Sequence, residues 1–202
     1  MKKPAIVNIQ IQPKGKISKL CLERGMRYLQ DVITYLRDLP YGRISDKRKP
    51  ELVLHEGRGT CTAKHALLVQ LAFENNIKGM RLALCTYNMT ETSHPEVKSV
   101  LNYYGLTSIP EARCFIQINN SIYNLVGKRN AFHPEIITEI EIAPVQIATF
   151  KKRYHKNYIE NWLQIERMHK RWSPDQIWSI REECIDAAEE NWESCPQLLC
   201  CA

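Results

Sequence analysis

The sequence predicts an α+β fold, in which helices and a sheet arise from separate segments of one chain. Apolar residues recur every three or four positions in several segments, as they do in amphipathic helices. Between these segments lie short runs rich in β-branched and aromatic residues, bounded by turn-forming residues, as in strands. A chain of 202 residues is long enough for one hydrophobic core. We therefore predict a single domain over 1–202, with a core at about 41–143 and a C-terminal helical extension at about 144–194.

The elements follow one another as helix, helix, strand, helix, hairpin, strand and terminal helices, an order typical of α+β proteins. The last helix has the clearest start, because Ser173 suits the N-cap, Pro174 the first helical position and Gln176 a capping box. The other patterns predict a helix over 19–39, a loop over 43–59, a largely apolar helix from Gly59 or Thr60 to Asn75, a strand over 80–89, a short helix ended by Gly105, a strand within 135–144 and a helix over about 145–171.

The run "EARCFIQINNSIYNLVG" predicts a β-hairpin with a two-residue turn at 119–120, because asparagine tolerates positive φ better than most residues. This turn pairs Ile118 with Ser121. Side chains alternate between the two faces of a strand, so the same register places Arg113 and Asn124 as diagonal neighbours on one face.

The bulk composition excludes several classes of function. The net charge of +6 is modest and the basic residues are spread along the chain, which does not indicate nucleic-acid binding. The eight cysteines include no C-x-x-C pair, so no zinc site is predicted. No apolar run has the ~20 residues of a membrane span, and the N-terminus lacks the apolar region of a signal peptide. We expect a cytoplasmic protein with reduced thiols, no cofactor and no membrane contact, and the oligomeric state stays open.

The stretch "EGRGTCTAKH" brings Cys61 to the start of the predicted central helix. A helix N-terminus lowers the pKa of a thiol, and its free N–H groups can stabilise an oxyanion. Gly57 and Gly59 would let the backbone approach a ligand closely, and Thr60 lies beside them. Cys61 is therefore a candidate nucleophile, and Gly57, Gly59 and Thr60 are candidate substrate-binding residues. The alternative is a cysteine that only packs in the core.

The run "GRGTCTAKHALL", followed by a strand and by a hairpin that contains "PEARCFIQI" and "IYNLVG", resembles the core of the transglutaminase-like proteins, within the papain-like cysteine fold group. The resemblance covers roughly residues 41–128 and looks most like a bacterial uncharacterised branch. It implies a central helix packed on a mostly antiparallel sheet. It also implies a Cys-His-Asp site, whose positions fall on Cys61, Arg113 and Asn124.

Arg113 and Asn124 depart from the pattern that the resemblance implies. Arginine stays protonated, so Arg113 can pair with a thiolate but cannot take its proton. Asn124 can orient a partner but carries no charge. We therefore expect a degenerate triad. His65 is the alternative base, since it follows Cys61 by one helical turn, although a core histidine that donates to a backbone carbonyl is the favoured explanation.

These residues leave three hypotheses about function. The first is a weakly active or non-catalytic transglutaminase-like protein that binds a peptide or a small amide or carbonyl ligand in the old cleft. The second is an active cysteine acyl-transfer enzyme, an amidohydrolase, peptidase or transamidase, that uses Cys61 with His65. The third is an interaction protein that uses the basic helical surface at 150–172, although its aromatic stripe is more typical of core packing.

Overall fold

The computed structural model describes residues 8–126 and 135–194, with side chains described up to 187. Within these residues the chain is α+β, as the sequence predicts. The helices are α1 (Lys16–Glu23), α2 (Leu29–Asp38), α3 (Leu52–Glu56), α4 (Cys61–Glu74), α5 (Lys98–Tyr104), α6 (Phe150–Ile165) and α7 (Pro174–Ser194). The strands are β1 (Met80–Thr90), β2 (Ser108–Ile118), β3 (Ser121–Tyr123) and β4 (Thr138–Ile142), and they form one sheet in the order β3-β2-β1-β4.

The described residues fall into two compact units. The first unit consists of the described residues within Met1–Thr86 and Ala112–Tyr154. The second unit consists of those within Tyr87–Glu111 and His155–Ala202. The division passes through β1 and β2. A boundary between a core at 41–143 and an extension at 144–194 therefore stays a prediction.

The single helix predicted over 19–39 is wrong, because the structure has two helices there. α1 ends at Glu23, and α2 begins at Leu29. Gly25, between them, has a φ of +80°, a conformation that a helix interior does not allow and that glycine adopts readily. The predicted loop over 43–59 also contains a short helix, α3, which ends at Glu56 and has Gly57 as its C-cap. The helix predicted over 145–171 is likewise shorter, since a 3₁₀ turn at Pro144–Ala148 precedes α6 and α6 ends at Ile165.

The first turn of α1 is capped by a carboxylate from the last residue of α4. Glu74 accepts hydrogen bonds from the backbone N–H groups of Ile17 at 3.0 Å and Ser18 at 2.7 Å. The hydroxyl of Ser18 donates to the same side chain at 2.7 Å. These contacts satisfy groups that a helix start leaves open, and the negative charge suits the positive end of the helix dipole.

We expect Gly15→Ala to destabilise the protein by about 2 kcal/mol, because the added methyl group would occupy the place of this carboxylate. A Cβ at residue 15 would lie 2.2 Å from Cδ of Glu74. Gly42→Ala is the matched control, since its Cβ would meet Cδ of Arg58, an exposed and flexible side chain, at 3.1 Å. Urea unfolding of both variants measures the difference, and equal midpoints would contradict the prediction.

The hairpin prediction is confirmed in turn and register. Asn119 and Asn120 have φ values of 48° and 62°, as a two-residue hairpin turn requires. Ile118 pairs with Ser121, and Ile116 pairs with Tyr123, where the ladder of β2 and β3 ends. β1 and β4 are also antiparallel, with Leu82 opposite Ile142. The buried side chains of α1 to α4 and of these strands form the core of the first unit.

The second unit contains a buried ion pair. Glu111 of β2 accepts from Nε of Arg181 at 2.7 Å and from Nη2 of the same side chain at 2.9 Å. Arg181 lies on α7, whose predicted capping box is confirmed by the reciprocal bonds between Ser173 and Gln176. None of the helices within the described ranges has both the length and the apolar character that crossing a membrane requires.

Candidate functional site

α4 begins at Cys61 because the residue before it caps the helix. Thr60 has extended backbone angles, and its hydroxyl accepts from the N–H of Ala63 at 3.2 Å. Cys61 is the first helical residue, and 7% of its surface is exposed. Apolar side chains follow around most of the helix, which explains why α4 lies inside the first unit. The thiol is therefore held at the N-terminal end of a buried helix, as the sequence predicts.

The two glycines before Cys61 have structural explanations. Gly57 ends α3 with a φ of +65°, and nothing lies within 4 Å of the place of its absent Cβ. Gly59 is crowded instead, since a Cβ there would lie 3.1 Å from Cγ of Lys64 and 3.2 Å from both methyl groups of Val53. Its N–H donates to the carbonyl of Pro40 at 3.2 Å. Gly59 thus allows close packing of this loop on α4, and its role in substrate binding stays a prediction.

Sequence reasoning missed the role of Lys64, which is 1% exposed. Its ammonium group donates to the carbonyl of Leu39 at 2.6 Å. Leu39 is the C-cap of α2, where a positive charge suits the negative end of the helix dipole. The signal in the sequence is a lysine within an apolar helix, a residue that is rarely buried without a partner.

Side chains of α4 form hydrogen bonds with the backbone of β2 beyond the end of its ladder with β3. Cys114 lies two residues from Ile116, so its backbone groups point to the same side of β2 as those that bond β3. Its N–H donates to the hydroxyl of Thr62 at 3.4 Å, and its carbonyl is 2.9 Å from Nδ1 of His65. Two side chains of α4 therefore satisfy the backbone groups that a longer β3 would have paired.

This contact fixes the protonation of His65. A carbonyl can only accept a hydrogen bond, so Nδ1 carries the proton and Nε2 presents a lone pair. The pKa of His65 is lowered to about 3, chiefly by burial and to a smaller extent by the charges of Arg113 and Lys64, while the bond to the carbonyl of Cys114 opposes the shift. The side chain is fully buried and neutral at physiological pH. Nε2 has no hydrogen-bond partner among the described residues.

The hairpin brings the other two candidate residues to the same region. Asn124 follows β3, and one more step of the observed register places it opposite Phe115. The ring of Phe115 lies 6.3 Å from that of His65. The amide oxygen of Asn124 is buried without a hydrogen-bond partner in the part of the chain that the structure describes. Arg113, half-buried on β2, is close enough for its charge to lower the pKa of His65.

The four other described cysteines are buried and free. Burial raises the pKa of Cys21, Cys85 and Cys184 to about 12 and that of Cys114 to about 11. Since the thiolate is the nucleophile, these four are weak nucleophiles at neutral pH. Cys195, Cys200 and Cys201 lie outside the described ranges.

Within the ranges described, no three His, Cys, Asp or Glu side chains lie close enough together to hold a metal ion. The chain matches no protein-family model, no curated protein and no solved structure. The site is therefore interpreted from its own residues: a thiol at a helix start, a neutral imidazole one turn later, and the Arg113 and Asn124 side chains of the neighbouring hairpin.

Proposed function

We propose that this chain is a transglutaminase-like protein with a degenerate Cys-His-Asp site, which binds a peptide or a small amide or carbonyl ligand beside Cys61 with little or no turnover. The observation that carries the proposal is the register of the hairpin. The mapping of the triad onto Arg113 and Asn124 depends on a turn at 119–120, and the pairing of Ile118 with Ser121 is the pairing that this turn requires.

The side chains at the candidate triad positions support binding over catalysis. Arg113 cannot accept the thiol proton, because a guanidinium stays protonated in proteins. Asn124 cannot supply the negative charge that stabilises an imidazolium. The ring of His65 is held by the carbonyl of Cys114 and is fully buried, so it is not free to turn toward a substrate. Loss of general acid–base catalysis costs about 10²–10⁴-fold in rate.

Ligand recognition uses the start of α4. The first N–H groups of a helix have no partner within the helix. The hydroxyl of Thr60 accepts a hydrogen bond from one of them, the N–H of Ala63. The N–H groups of Cys61 and Thr62 belong to the same first turn, where the helix dipole favours a carbonyl oxygen or a negative charge. A carbonyl group of a peptide or amide suits this position.

One observation favours the second candidate, a cysteine acyl-transfer enzyme that uses His65. Nε2 of His65 is unprotonated and lacks a donor among the described residues, which is the form that a general base requires. Its side chain leans toward the turn of Cys61. The two candidates predict different results when the triad is restored by substitution.

The test is Arg113→His combined with Asn124→Asp. If the site is degenerate, the double variant is expected to hydrolyse an activated ester or amide about 10²–10⁴-fold faster than the natural chain, because it regains a base and a carboxylate. The same double variant with Cys61→Ala is the control and should lose this gain. Circular dichroism checks that each variant is folded.

The proposal fails if the natural chain already turns over the substrate, the double variant brings no gain, and His65→Asn abolishes the activity. Asparagine at 65 keeps a donor for the carbonyl of Cys114 but has no lone pair in the place of Nε2. That set of results would establish the His65 enzyme instead. Mass spectrometry of the intact chain, which detects an acyl group on Cys61, separates single acylation from turnover.

A further inference from the structure

Cys61 and His65 form a pair of soft ligands on one face of α4. Residues four positions apart lie above one another on a helix, and long side chains lean toward its N-terminus. This spacing brings an imidazole at position 65 toward the turn that carries the thiol. Both side chains are buried, Cys61 with 7% and His65 with 0% of its surface exposed.

His65 has the hydrogen bond that metal-bound histidines usually have. Such residues donate the second ring N–H to a carboxylate, a backbone carbonyl or water, which fixes the tautomer and the ring. Here Nδ1 donates to the carbonyl of Cys114 at 2.9 Å, and Thr62 holds the N–H of the same residue. Nε2 is left as a buried lone pair without a partner among the described residues.

We propose that Sγ of Cys61 and Nε2 of His65 bind one monovalent copper ion, Cu(I), in two-coordinate geometry. Thiolate and imidazole are ligands that copper accepts, and thiolate sulfur selects the soft Cu(I) ion. Zinc sites usually require four ligands, and no third His, Cys, Asp or Glu side chain joins this pair within the described ranges. On binding, the thiol proton passes to solvent and no electron is transferred.

The charges around the pair favour a monovalent ion. Lys64 and Arg113 both lie near enough for their positive charges to act on His65. A thiolate with Cu(I) has no net charge, whereas a divalent ion would add a further positive charge to a buried site. This inference goes beyond the proposed function, because it does not require a substrate or turnover.

The experiment measures Cu(I) affinity by anaerobic competition with the chromophoric chelator bicinchoninate. The protein is the full chain with Cys195, Cys200 and Cys201 replaced by serine, because those thiols would compete for the ion. One equivalent of Cu(I) should bind. Cys61→Ser and His65→Asn should each weaken the affinity at least tenfold, and Cys184→Ala, which removes a buried thiol from the other unit, should leave it unchanged.

Two results would overturn the site: equal affinity with and without Cys61, or a loss in Cys61→Ser but none in His65→Asn, which indicates a thiol acting alone. If His65→Asn does not fold, ¹⁵N NMR of the unsubstituted histidine decides, because Cu(I) must shift Nε2 strongly and Nδ1 little. The Cu(I) titration uses the chain with Arg113 and Asn124 intact and no substrate, whereas the proposed function is tested by hydrolysis, so a failure of copper binding is distinguishable from a failure of the proposed function.

Discussion

Acidification of the metal-free protein from pH 6.5 to pH 3 is expected to remove about 4 kcal/mol from the free energy of unfolding through His65 alone. In the folded chain burial lowers the pKa of this imidazole to about 3, whereas an unfolded chain titrates near the ordinary value of 6.5. Between these values the unfolded state binds a proton that the folded state does not. Stability is therefore complete above pH 6.5, falls by about 1.4 kcal/mol per pH unit and levels off below pH 3.

The matched variant for this prediction is His65→Asn, which keeps a donor for the carbonyl of Cys114 but does not titrate. Acid also protonates Asp46, Glu51 and Glu56, whose pKa values lie below their usual range. The contribution of His65 is therefore the difference in the free energy of unfolding between the natural chain and the variant at each pH. Urea unfolding at several pH values from 7 to 4 provides it. Parallel stability curves for the two proteins would show that His65 is accessible to protons in the folded state.

Arg181→Met is expected to destabilise the second unit by about 3–5 kcal/mol, because it leaves a buried carboxylate without its charge partner. Only 1% of the side-chain surface of Glu111 is exposed, and 12% of that of Arg181. The two nitrogens of the guanidinium hold both carboxylate oxygens at 2.7 and 2.9 Å. Removing one partner lowers the free energy of unfolding by more than the intact pair contributes to it, because the remaining charge stays buried.

Lys156→Met is the control for Arg181→Met. Lys156 and Arg181 both lie 5.7 Å from the ring of Trp178, so each substitution removes one cation from that ring. The ion pair of Lys156 with Asp175 is exposed, and its loss should cost less than about 1 kcal/mol. Replacing Glu111 and Arg181 together by methionine should recover most of the stability that Arg181→Met loses. Equal unfolding midpoints for Arg181→Met and Lys156→Met would exclude a dominant role for this ion pair.

The features predicted correctly from sequence are those that local chemistry determines. Two asparagines fix the hairpin turn because both tolerate positive φ, and the register follows by counting outward. The capping box at Ser173 also depends on a few neighbouring residues. The central helix is predicted to start at Gly59 or Thr60, and it starts at Cys61 because Thr60 is its N-cap. Periodicity failed over 19–39 because apolar spacing continues through Gly25, although its backbone ends α1.

The candidate site could be predicted only in part, because the missing parts depend on tertiary contacts. The sequence placed Cys61 at a helix start and His65 one turn later. It could not show that Lys64 reaches the carbonyl of Leu39, or that Thr62 and His65 replace a strand beside Cys114. These partners lie 25 to 52 positions away along the chain, and no residue pattern specifies them.

The carboxylate of Glu74 makes the beginning of α1 depend on the end of α4. The bonded groups are 56 and 57 positions apart, so the cap cannot form while those positions are still being synthesised. During translation the first turn of α1 must remain open to water until Glu74 has left the ribosome. The first turn of α1 therefore reaches its capped form only after the last residue of α4 has been made, although α1 itself is made earlier.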